Sequence, residues 1–313
     1  MATHRVLLRL PLPNEEPRAF TDEFPDVEFV DSEDGGDLGS IDVVFAGEPV
    51  PNELIERMEK LAWLHTTSAG GNRFLTPSVI ERSITVTTST GIHGRPFTEF
   101  GLACMYDLAK KLPILLDAQR RTAWEGRDFV SMDRVGGKTV GIVGLGTVGS
   151  ELARRTKDLG LRVLATKATV TDTPPYVDTL GPPEYLEAML READILFLTL
   201  PPRFDGLIGE AELRSMKPGS YIINLTGGRR CVDDDALIAA LKDGHIAGAA
   251  FNLNTEIEPG SDLWLLPNVI ISAGLASEDP DKWKMQRGLF VDNLGRFVRG
   301  EELRNVIDAT HGY

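Results

Sequence analysis

The stretch that decides the fold is Lys138-Thr-Val-Gly-Ile-Val-Gly-Leu-Gly-Thr-Val-Gly149. An apolar strand pattern leads into Gly144-x-Gly146-x-x-Gly149, and a helical pattern follows at once. In this arrangement the first glycine allows a tight turn, the second lets backbone approach a pyrophosphate, and the third lets the helix pack on the sheet. The free N–H groups of the first helical turn then face the anion. Because both the strand and the helix flank the glycines, the stretch predicts a dinucleotide-binding site.

Length and composition bound the class of protein. The 313 residues are enough for two domains, and 42% hydrophobic with 26% charged residues is typical of a soluble globular protein. The net charge of −14 argues against nucleic acid or a membrane surface as a partner. The N-terminus predicts a first strand instead of a signal peptide, and no apolar run approaches the ~20 residues that span a bilayer. Two distant cysteines, Cys104 and Cys231, give no disulfide framework, so we expect a cytoplasmic location.

Strand and helix patterns alternate on both sides of the glycine stretch. Before it, strand patterns rich in β-branched and aromatic residues occur at 6–10, 27–30, 41–46, 63–67 and 84–88. After it, further strand patterns occur at 162–167, 194–199, 221–225, 246–251 and 269–272. Between the two sets, a helix pattern begins at Phe97, Pro113 should end or kink it, and a second helical segment should follow from Ile114 to about Arg121. The alternation predicts α/β units with parallel sheets.

Two loops that follow strand patterns are candidate substrate contacts. They span 67–72 and 89–96 and are rich in glycine and polar residues. Ligands of open α/β sheets bind outside the carboxyl ends of strands, which favours a functional interpretation. Because Gly, Ser and Asn also favour ordinary turns, two surface turns remain the alternative. The residues that we single out in these loops are Ser68, Ala69, Gly70, His93 and Arg95.

The end of the strand at 162–167 predicts which dinucleotide binds. An acidic residue that holds the ribose 2′-hydroxyl of NAD is expected about 20 residues past the glycines. The sequence has Thr166, Lys167 and Thr169 there and no carboxylate. A cation and hydroxyls suit a 2′-phosphate, so NADP is favoured. A solvated lysine that does not discriminate would leave NAD open as the alternative cofactor.

A series of motifs, whose order and spacing together are highly specific, extends over nearly the whole chain. They are Thr66–Gly70, Gly91–His93 with Glu99, Gly137–Gly149, Gly206–Gly209, Met216–Gly219, Asp235–Lys242, Gly244–Gly248 and Leu263–Val269. With these motifs the chain resembles the D-isomer-specific 2-hydroxyacid dehydrogenases. The resemblance implies a Rossmann-type dinucleotide-binding domain, residues 99–277, inserted in a smaller flavodoxin-like α/β substrate domain, residues 1–98 and 278–313. It also implies a homodimer.

The resemblance further implies a set of cofactor-binding residues. They lie in the glycine stretch, at the end of the next strand and in the loops after later strands: Gly144, Gly146, Thr147, Val148, Gly149, Thr166, Lys167, Leu200, Pro201, Thr226, Asn252 and Gly274. Asn252 occupies the place of an aspartate that the family has beside the nicotinamide, so it keeps a hydrogen-bonding role but not the charge.

The family's catalytic residues are changed in this chain. The resemblance implies a His as general acid, a Glu that orients it, and an Arg that binds the carboxylate and carbonyl of a 2-oxo acid. The His position falls on Gly274. The Arg position falls on Gly227, or on Gly228 when counted back from the next motif, because this loop has one extra residue. Loss of a general acid costs ~10²–10⁴ in rate, so a standard ketoacid reductase would be impaired.

Replacements for these residues can be named. Glu258, which precedes a proline, matches the orienting Glu better than Glu256 does, and an ungapped count falls on Ile257. Arg229 is the candidate for the anion-binding Arg if the loop is re-routed, with Arg230 as the other choice. His93 is the histidine on a candidate substrate loop, although a structural loop histidine is the alternative. Cys231 beside two arginines could be a thiolate, or simply a small buried residue.

Two functions of different classes follow. The first is an NAD(P)-dependent oxidoreductase of the 2-hydroxyacid dehydrogenase type, which transfers a hydride to a 2-oxo acid or a related carbonyl or imine compound with non-standard catalytic residues. The second is a non-catalytic NADP-binding sensor or partner-binding protein on the same scaffold. We favour the enzyme, with catalytic residues His93, Arg229 and Glu258, because Ser68, His93 and Arg95 also supply polar chemistry. A small-molecule substrate and no metal are expected.

Overall fold

The computed structural model describes residues 4–13, 15–31, 37–124, 131–170, 172–201, 204–228, 231–254 and 256–307. Arg229 and Arg230 lie outside these residues. The chain divides into a first compact unit, 1–92 with 280–313, and a second unit, 93–279. These limits differ by a few residues from the domain boundaries expected at 98/99 and 277/278. The difference at the first boundary has a physical reason, because the helix that begins at Gly94 is continuous to Ala109 and belongs to the second unit as a whole.

Strands alternate with helices along the described chain, as expected. The strands are β1 (His4–Arg9), β2 (Val27–Val30), β3 (Val43–Ala46), β4 (Trp63–Thr66), β5 (Thr85–Thr88), β6 (Thr139–Val143), β7 (Arg162–Thr166), β8 (Thr179–Gly181), β9 (Ile195–Leu198), β10 (Ser220–Gly227), β11 (Ile246–Leu253) and β12 (Val269–Ser272). The helices are α1 (Glu16–Glu23), α2 (Asn52–Arg57), α3 (Pro77–Glu81), α4 (Gly94–Ala109), α5 (Leu112–Arg120), α6 (Thr147–Asp158), α7 (Leu186–Glu192), α8 (Glu210–Ser215), α9 (Asp234–Lys242) and α10 (Lys282–Arg299). Among the described residues, no helix combines the length and apolar character that a membrane crossing requires.

The first unit is built on a five-stranded parallel sheet. Its strand order is β2-β1-β3-β4-β5, the order of flavodoxin-like folds. One face packs against α10, where Phe290 and Leu294 are buried against Phe45 and Trp63. The other face covers a second cluster that includes Ile55 of α2. The C-terminal helix is therefore part of this unit's core, as a discontinuous domain requires.

The second unit is built on a seven-stranded parallel sheet. Its order is β12-β11-β10-β9-β6-β7-β8, so β6 lies at the point where the direction of strand addition reverses. Helices α4 and α6 cover one face, and α7, α8 and α9 cover the other, each over its own buried cluster. A doubly wound sheet of this order is the Rossmann-type fold. The predicted fold class is confirmed for both units.

The helix expected from Phe97 to Pro113 has different limits. It begins earlier, at Gly94, and ends at Ala109, before a left-handed Lys111 with φ +56°. Pro113 does not end this helix; it lies in the first turn of α5. A proline fits there because the N–H that it lacks has no partner within a helix's first turn.

Candidate functional site

The predicted cofactor residues lie along one edge of the seven-stranded sheet. Because all its strands are parallel, their carboxyl ends meet at that edge. The residues that lie there are Gly144, Gly146, Thr147, Val148 and Gly149 after β6, Thr166 and Lys167 at the end of β7, Leu200 and Pro201 after β9, Thr226 in β10, Asn252 in β11 and Gly274 after β12. In open α/β sheets, ligands bind in the crevice at this edge, next to the strand where the order reverses.

The glycine loop has the backbone that a pyrophosphate cradle needs. Gly144 has φ +98°, and its carbonyl accepts a hydrogen bond of 2.7 Å from the hydroxyl of Thr199. A β-carbon on Gly149 would lie 2.2 Å from the carbonyl oxygen of Gly144, so only glycine lets α6 approach β6 this closely. A β-carbon on Gly146 would meet nothing within 4 Å. The space beside Gly146 is therefore open, as a site for a diphosphate must be.

The first turn of α6 provides hydrogen-bond donors beside that space. The helix begins at Thr147, which is exposed, and continues to Asp158. Its N-cap residue is Gly146, which has no side chain to accept from the first N–H groups. Unsatisfied N–H groups and the positive end of the helix dipole favour an anion at this position. The residues present thus fit a dinucleotide, which when bound supplies or accepts a hydride.

The end of β7 carries the residues expected to select the cofactor. Thr166 is buried, and its carbonyl accepts from the N–H of Gly144 at 3.2 Å, which fixes the end of β7 against the glycine loop. Lys167 follows directly, is half-buried, and donates its N–H to Gly181 of β8 at 3.0 Å. Its position therefore depends on two neighbouring strands and not on a free loop.

A β-bulge lies at the end of β10, where the sequence has its extra residue. Asn224 pairs with Phe251 and Gly227 pairs with Leu253, so β10 spans two intervening residues where β11 spans one. Thr226 fastens the bulge, because its hydroxyl donates to the Asn224 amide oxygen at 2.7 Å. A bulge of this kind commonly changes the direction in which nearby side chains point. The extra residue is therefore accommodated within β10.

At the positions of the family's Arg and His, the backbone is left-handed and a side chain would meet Asn254. Gly227 has φ +72° and Gly274 has φ +75°, a region that residues with a β-carbon seldom adopt. A β-carbon on Gly227 would lie 2.5 Å from Nδ2 of Asn254, and one on Gly274 would lie 2.9 Å from Oδ1 of the same residue. Gly228, the other position considered for the Arg, is bound back to the bulge through its N–H and the Thr226 hydroxyl at 3.1 Å.

Asn254 is the residue that the sequence interpretation missed. It is the first residue after β11, its side chain is exposed, and its backbone N–H donates to the Gly227 carbonyl at 3.0 Å. A signal was available, because Asn252 and Asn254 are two residues apart at a strand end and alternate residues of a strand share a face. The contacts of the Asn254 side chain with Gly227 of β10 and Gly274 after β12 could not be predicted from the sequence in this way.

Asn252 connects the ends of β11 and β12. It is buried, and its Oδ1 accepts from the N–H of Ala276 at 3.0 Å and from the Ser272 hydroxyl at 3.4 Å. Since a backbone N–H can only donate, this contact fixes which end of the amide is the oxygen. Asn252 therefore holds the turn that contains Gly274.

The other predicted catalytic residues have these positions. Glu258 is exposed, and its backbone carbonyl accepts from the indole N–H of Trp264 at 3.1 Å; Ile257 is buried in the core, where a carboxylate could not replace it. His93 immediately precedes α4, is half-buried, and its ring lies 5.8 Å from that of Phe97. Arg95 donates from Nε to Glu99 at 2.8 Å on the exposed face of α4.

The remaining substrate candidates belong to the first unit. The N–H of Ser89 donates to the Ser68 carbonyl at 2.9 Å, and the Thr90 hydroxyl donates to the Ala69 carbonyl at 2.7 Å. These bonds join the two predicted substrate loops at the carboxyl ends of β4 and β5. Gly70 is exposed beside them.

Cys231 is a buried thiol. It is 3% exposed, and burial, assisted by Asp205, raises its pKa to about 11. A protonated thiol is a poor nucleophile at neutral pH. The structure thus supports the small-core-residue interpretation and contradicts the thiolate alternative.

The fold and the glycine loop define a dinucleotide-binding protein, and comparison with known proteins gives its family. The model of the D-isomer specific 2-hydroxyacid dehydrogenase NAD binding domain matches residues 102–276. A glyoxylate reductase of Korarchaeum cryptofilum is 30% identical over 271 residues, covering 83% of this chain and 80% of that protein. A glycerate dehydrogenase of Methylorubrum extorquens is 27% identical over 293 residues, covering 90% and 88%.

A solved structure agrees with these relatives over the full length. It is a D-isomer specific 2-hydroxyacid dehydrogenase from Xanthobacter autotrophicus in complex with NADPH and MES, with a TM-score of 0.79, 26% identity and complete coverage of both chains. The chain belongs to the D-isomer-specific 2-hydroxyacid dehydrogenase family, which confirms the resemblance seen in its motifs. It is an NAD(P)-dependent oxidoreductase that acts on CH–OH groups.

Proposed function

We propose that this protein is an NADP-preferring reductase that converts a 2-oxo acid, or a related carbonyl or imine compound, without the Arg and His of its family. The observation that carries the proposal is the pair Gly227 and Gly274, both with positive φ and both in contact with Asn254. These contacts support a site that has been rebuilt around glycine, since a simple loss of side chains would not require left-handed backbone at both positions.

The choice of NADP rests on the end of β7. Thr166 and Lys167 occupy the position where an acidic residue would hold a ribose 2′-hydroxyl, and a lysine there suits a 2′-phosphate. The relative from Xanthobacter autotrophicus was crystallised with NADPH, which agrees with this choice. NAD remains the alternative cofactor.

We assign catalytic roles to His93, Glu258 and Arg229, and substrate contacts to Ser68, Ala69, Gly70, His93 and Arg95. His93 at the start of α4 is the proposed proton donor, because a protonated imidazole can transfer a proton to a carbonyl oxygen. Glu258 follows β11 on the surface and supplies a carboxylate near the carboxyl edge of the sheet. Arg229 supplies the cation for an anionic substrate.

The direct test is NADPH oxidation by the purified protein. The panel contains glyoxylate and hydroxypyruvate, the corresponding aldehydes, and imines formed from a 2-oxo acid and ammonia. Consumption of NADPH that requires one of these compounds supports the reductase, and His93→Ala should reduce it. Tight NADPH binding without turnover of any compound would instead support the non-catalytic NADP-binding sensor.

We propose a homodimer that uses exposed apolar side chains of α5 and the residues after it. Trp124 is 99% exposed, and Leu112, Leu116 and Met132 are also exposed. Exposed apolar side chains mark a protein interface when they form a contiguous patch. Light scattering on the purified protein should give twice the mass of one chain, and Trp124→Glu should shift it toward the monomer. A monomer in the unaltered protein would contradict the proposal.

We also propose a cytoplasmic location. Cys104 and Cys231 are both free and buried, and burial raises the pKa of Cys104 to about 12. Unpaired thiols are usual in a reducing compartment. Cell fractionation with an antibody against the chain would test this.

A further inference from the structure

We propose that Asn254 is a substrate-binding residue of this site and that its neutral carboxamide occupies the space in which side chains at the family's Arg and His positions, Gly227 and Gly274, would begin. The inference rests on the proposed reductase function. The ligand that this site would take is a small 2-oxo acid, and the Asn254 amide would form hydrogen bonds with one of its oxygens.

Asn254 lies at the places where both of the family's functional side chains would begin. The carboxamide of Asn254 lies between two strand ends, with Nδ2 directed toward Gly227 at the end of β10 and Oδ1 toward Gly274 after β12. A side chain on either glycine would begin in the volume that Asn254 occupies. The Asn254 carboxamide thus lies where both the Arg and the His side chain of the family would begin.

The side chain of Asn254 holds no part of the fold through a hydrogen bond. Its backbone N–H continues the β10–β11 ladder through Gly227. Asn254 is an exposed residue, and within the described residues its carboxamide forms no hydrogen bond. Asn252, two residues earlier, shows the opposite: it is buried and its amide holds the turn after β12. The donors and acceptor of Asn254 are therefore available to a ligand.

The two glycines leave room for the carboxamide. Gly227 and Gly274 both have positive φ, a conformation that glycine adopts readily, and neither has a side chain in the space that Asn254 occupies. A bulge lies at the end of β10 beside Gly227. The same polar group therefore lies beside two strand ends that have no side chain of their own at these positions.

The chemistry of a carboxamide sets the expected behaviour. It donates through two N–H groups, accepts through its oxygen and does not ionise in the pH range where proteins are folded. Asn254 therefore orients an oxygen of the substrate but is not itself the proton donor. A hydrogen bond to a charged ligand of this kind corresponds to about a 10- to 100-fold change in affinity.

The experiment uses the full chain with NADPH bound. Three variants are compared with the unaltered protein: Asn254→Ala, Asn254→Asp and, as a matched control at the opposite edge of the same sheet, Asn268→Ala. Asn268 immediately precedes β12. The probes are glyoxylate and hydroxypyruvate for turnover and oxamate, an unreactive 2-oxo acid analogue, for binding, read from the change in NADPH fluorescence.

We expect Asn254→Ala to lower kcat/KM and oxamate affinity about 10- to 100-fold. Its NADPH affinity and Tm should stay close to those of the unaltered protein. Asn268→Ala should keep the kcat/KM and the oxamate affinity of the unaltered protein. Asn254→Asp should bind oxamate poorly at neutral pH and recover as the pH falls toward that of an ordinary carboxyl, about 4, because the new charge repels the carboxylate. Unchanged KM, kcat and oxamate affinity in both Asn254 variants would overturn the inference, as would a lower Tm with no effect on the probes, which indicates a merely structural residue.

If the proposed reductase function is wrong, the experiment gives results that differ from those expected if the role of Asn254 is wrong. If the unaltered protein turns over neither probe but binds oxamate in a manner that Asn254→Ala abolishes, the reductase assignment fails and the assignment of Asn254 stands. If Asn254→Ala loses NADPH as well, Asn254→Ser is measured in its place, and loss of NADPH affinity there too would make Asn254 a cofactor or folding residue and overturn the inference. No binding of oxamate and no turnover by the unaltered protein would overturn both.

Discussion

The side-chain nitrogen of Asn254 lies 2.5 Å from the position that a β-carbon on Gly227 would take. Gly227 also has φ +72°, so Gly227→Ala faces two penalties, a crowded contact and a left-handed backbone. The backbone penalty alone is roughly 1–2 kcal/mol. We expect Gly227→Ala to lower the free energy of unfolding by at least that amount in urea denaturation.

A double variant separates the two penalties. Asn254→Gly removes the crowded side chain and leaves the φ of Gly227 unchanged. The loss caused by Gly227→Ala should therefore be smaller, but not absent, in the Asn254→Gly background. Equal losses in both backgrounds would mean that Asn254 moves aside without cost and that the contact is not a constraint.

The glycine loop offers a second, matched pair of substitutions. A β-carbon on Gly149 would lie 2.2 Å from a backbone oxygen, whereas one on Gly146 meets nothing within 4 Å, and Gly146 has φ −90°. We expect Gly149→Ala to lower the Tm, because backbone must move to admit the methyl group. Gly146→Ala should leave the Tm unchanged but weaken NADPH binding, because the methyl group occupies the space beside the first turn of α6.

Fluorescence titration with NADPH and thermal unfolding measure the two effects on the same samples. If Gly146→Ala bound NADPH as well as the unaltered protein does, the open space beside Gly146 would not be the pyrophosphate site.

Much of this fold is predictable from local sequence patterns, but the contacts of Asn254 with Gly227 and Gly274 are not. The β6–α6 turn was evident because strand, glycines and helix are contiguous, so each glycine's role follows from its neighbours. Asn254 was missed because its side chain meets Gly227 and Gly274 from two other strands, and a contact between distant segments leaves no periodic pattern. The limits of α4 were wrong for a similar reason: Pro113 signals a helix boundary but does not show on which side of it the helix lies.

Cofactor selection can be tested at the end of β7. Lys167 is half-buried and held between β7 and β8. Loss of a charge-assisted hydrogen bond to a phosphate corresponds to roughly 1.5–3 kcal/mol. We therefore expect Lys167→Ala to weaken NADPH binding about 10- to 100-fold and to leave NADH binding nearly unchanged.

Tryptophan or NADPH fluorescence provides the dissociation constants for both cofactors. Lys157→Ala serves as the control. Lys157 forms an ion pair with Asp178 at an Nζ–Oδ1 distance of 2.6 Å, and this pair does not lie at the carboxyl ends of the strands. Parallel loss of NADH and NADPH affinity in Lys167→Ala would show that Lys167 does not distinguish the 2′-phosphate.

His65 predicts how stability depends on pH. It is fully buried in β4, its Nδ1 lies 2.7 Å from the Thr87 hydroxyl, and burial lowers its pKa from 6.5 to about 3. In the unfolded chain this histidine takes up a proton near pH 6.5, whereas in the folded protein it stays neutral down to about pH 3. The unfolded state therefore binds more protons in that interval, and stability present above pH 6.5 is lost as the pH falls through it. The slope is about 1.4 kcal/mol per pH unit for one such group.

Urea denaturation at several pH values between 4.5 and 6.5 should show this slope in the unaltered protein and a slope smaller by that amount in His65→Gln. The substitution also removes aromatic contacts with Phe45 and Phe290, so it lowers stability at every pH, and only the difference in slope bears on the titration. Parallel pH profiles for the two proteins would mean that His65 is protonated in the folded state or that the core opens to admit the proton.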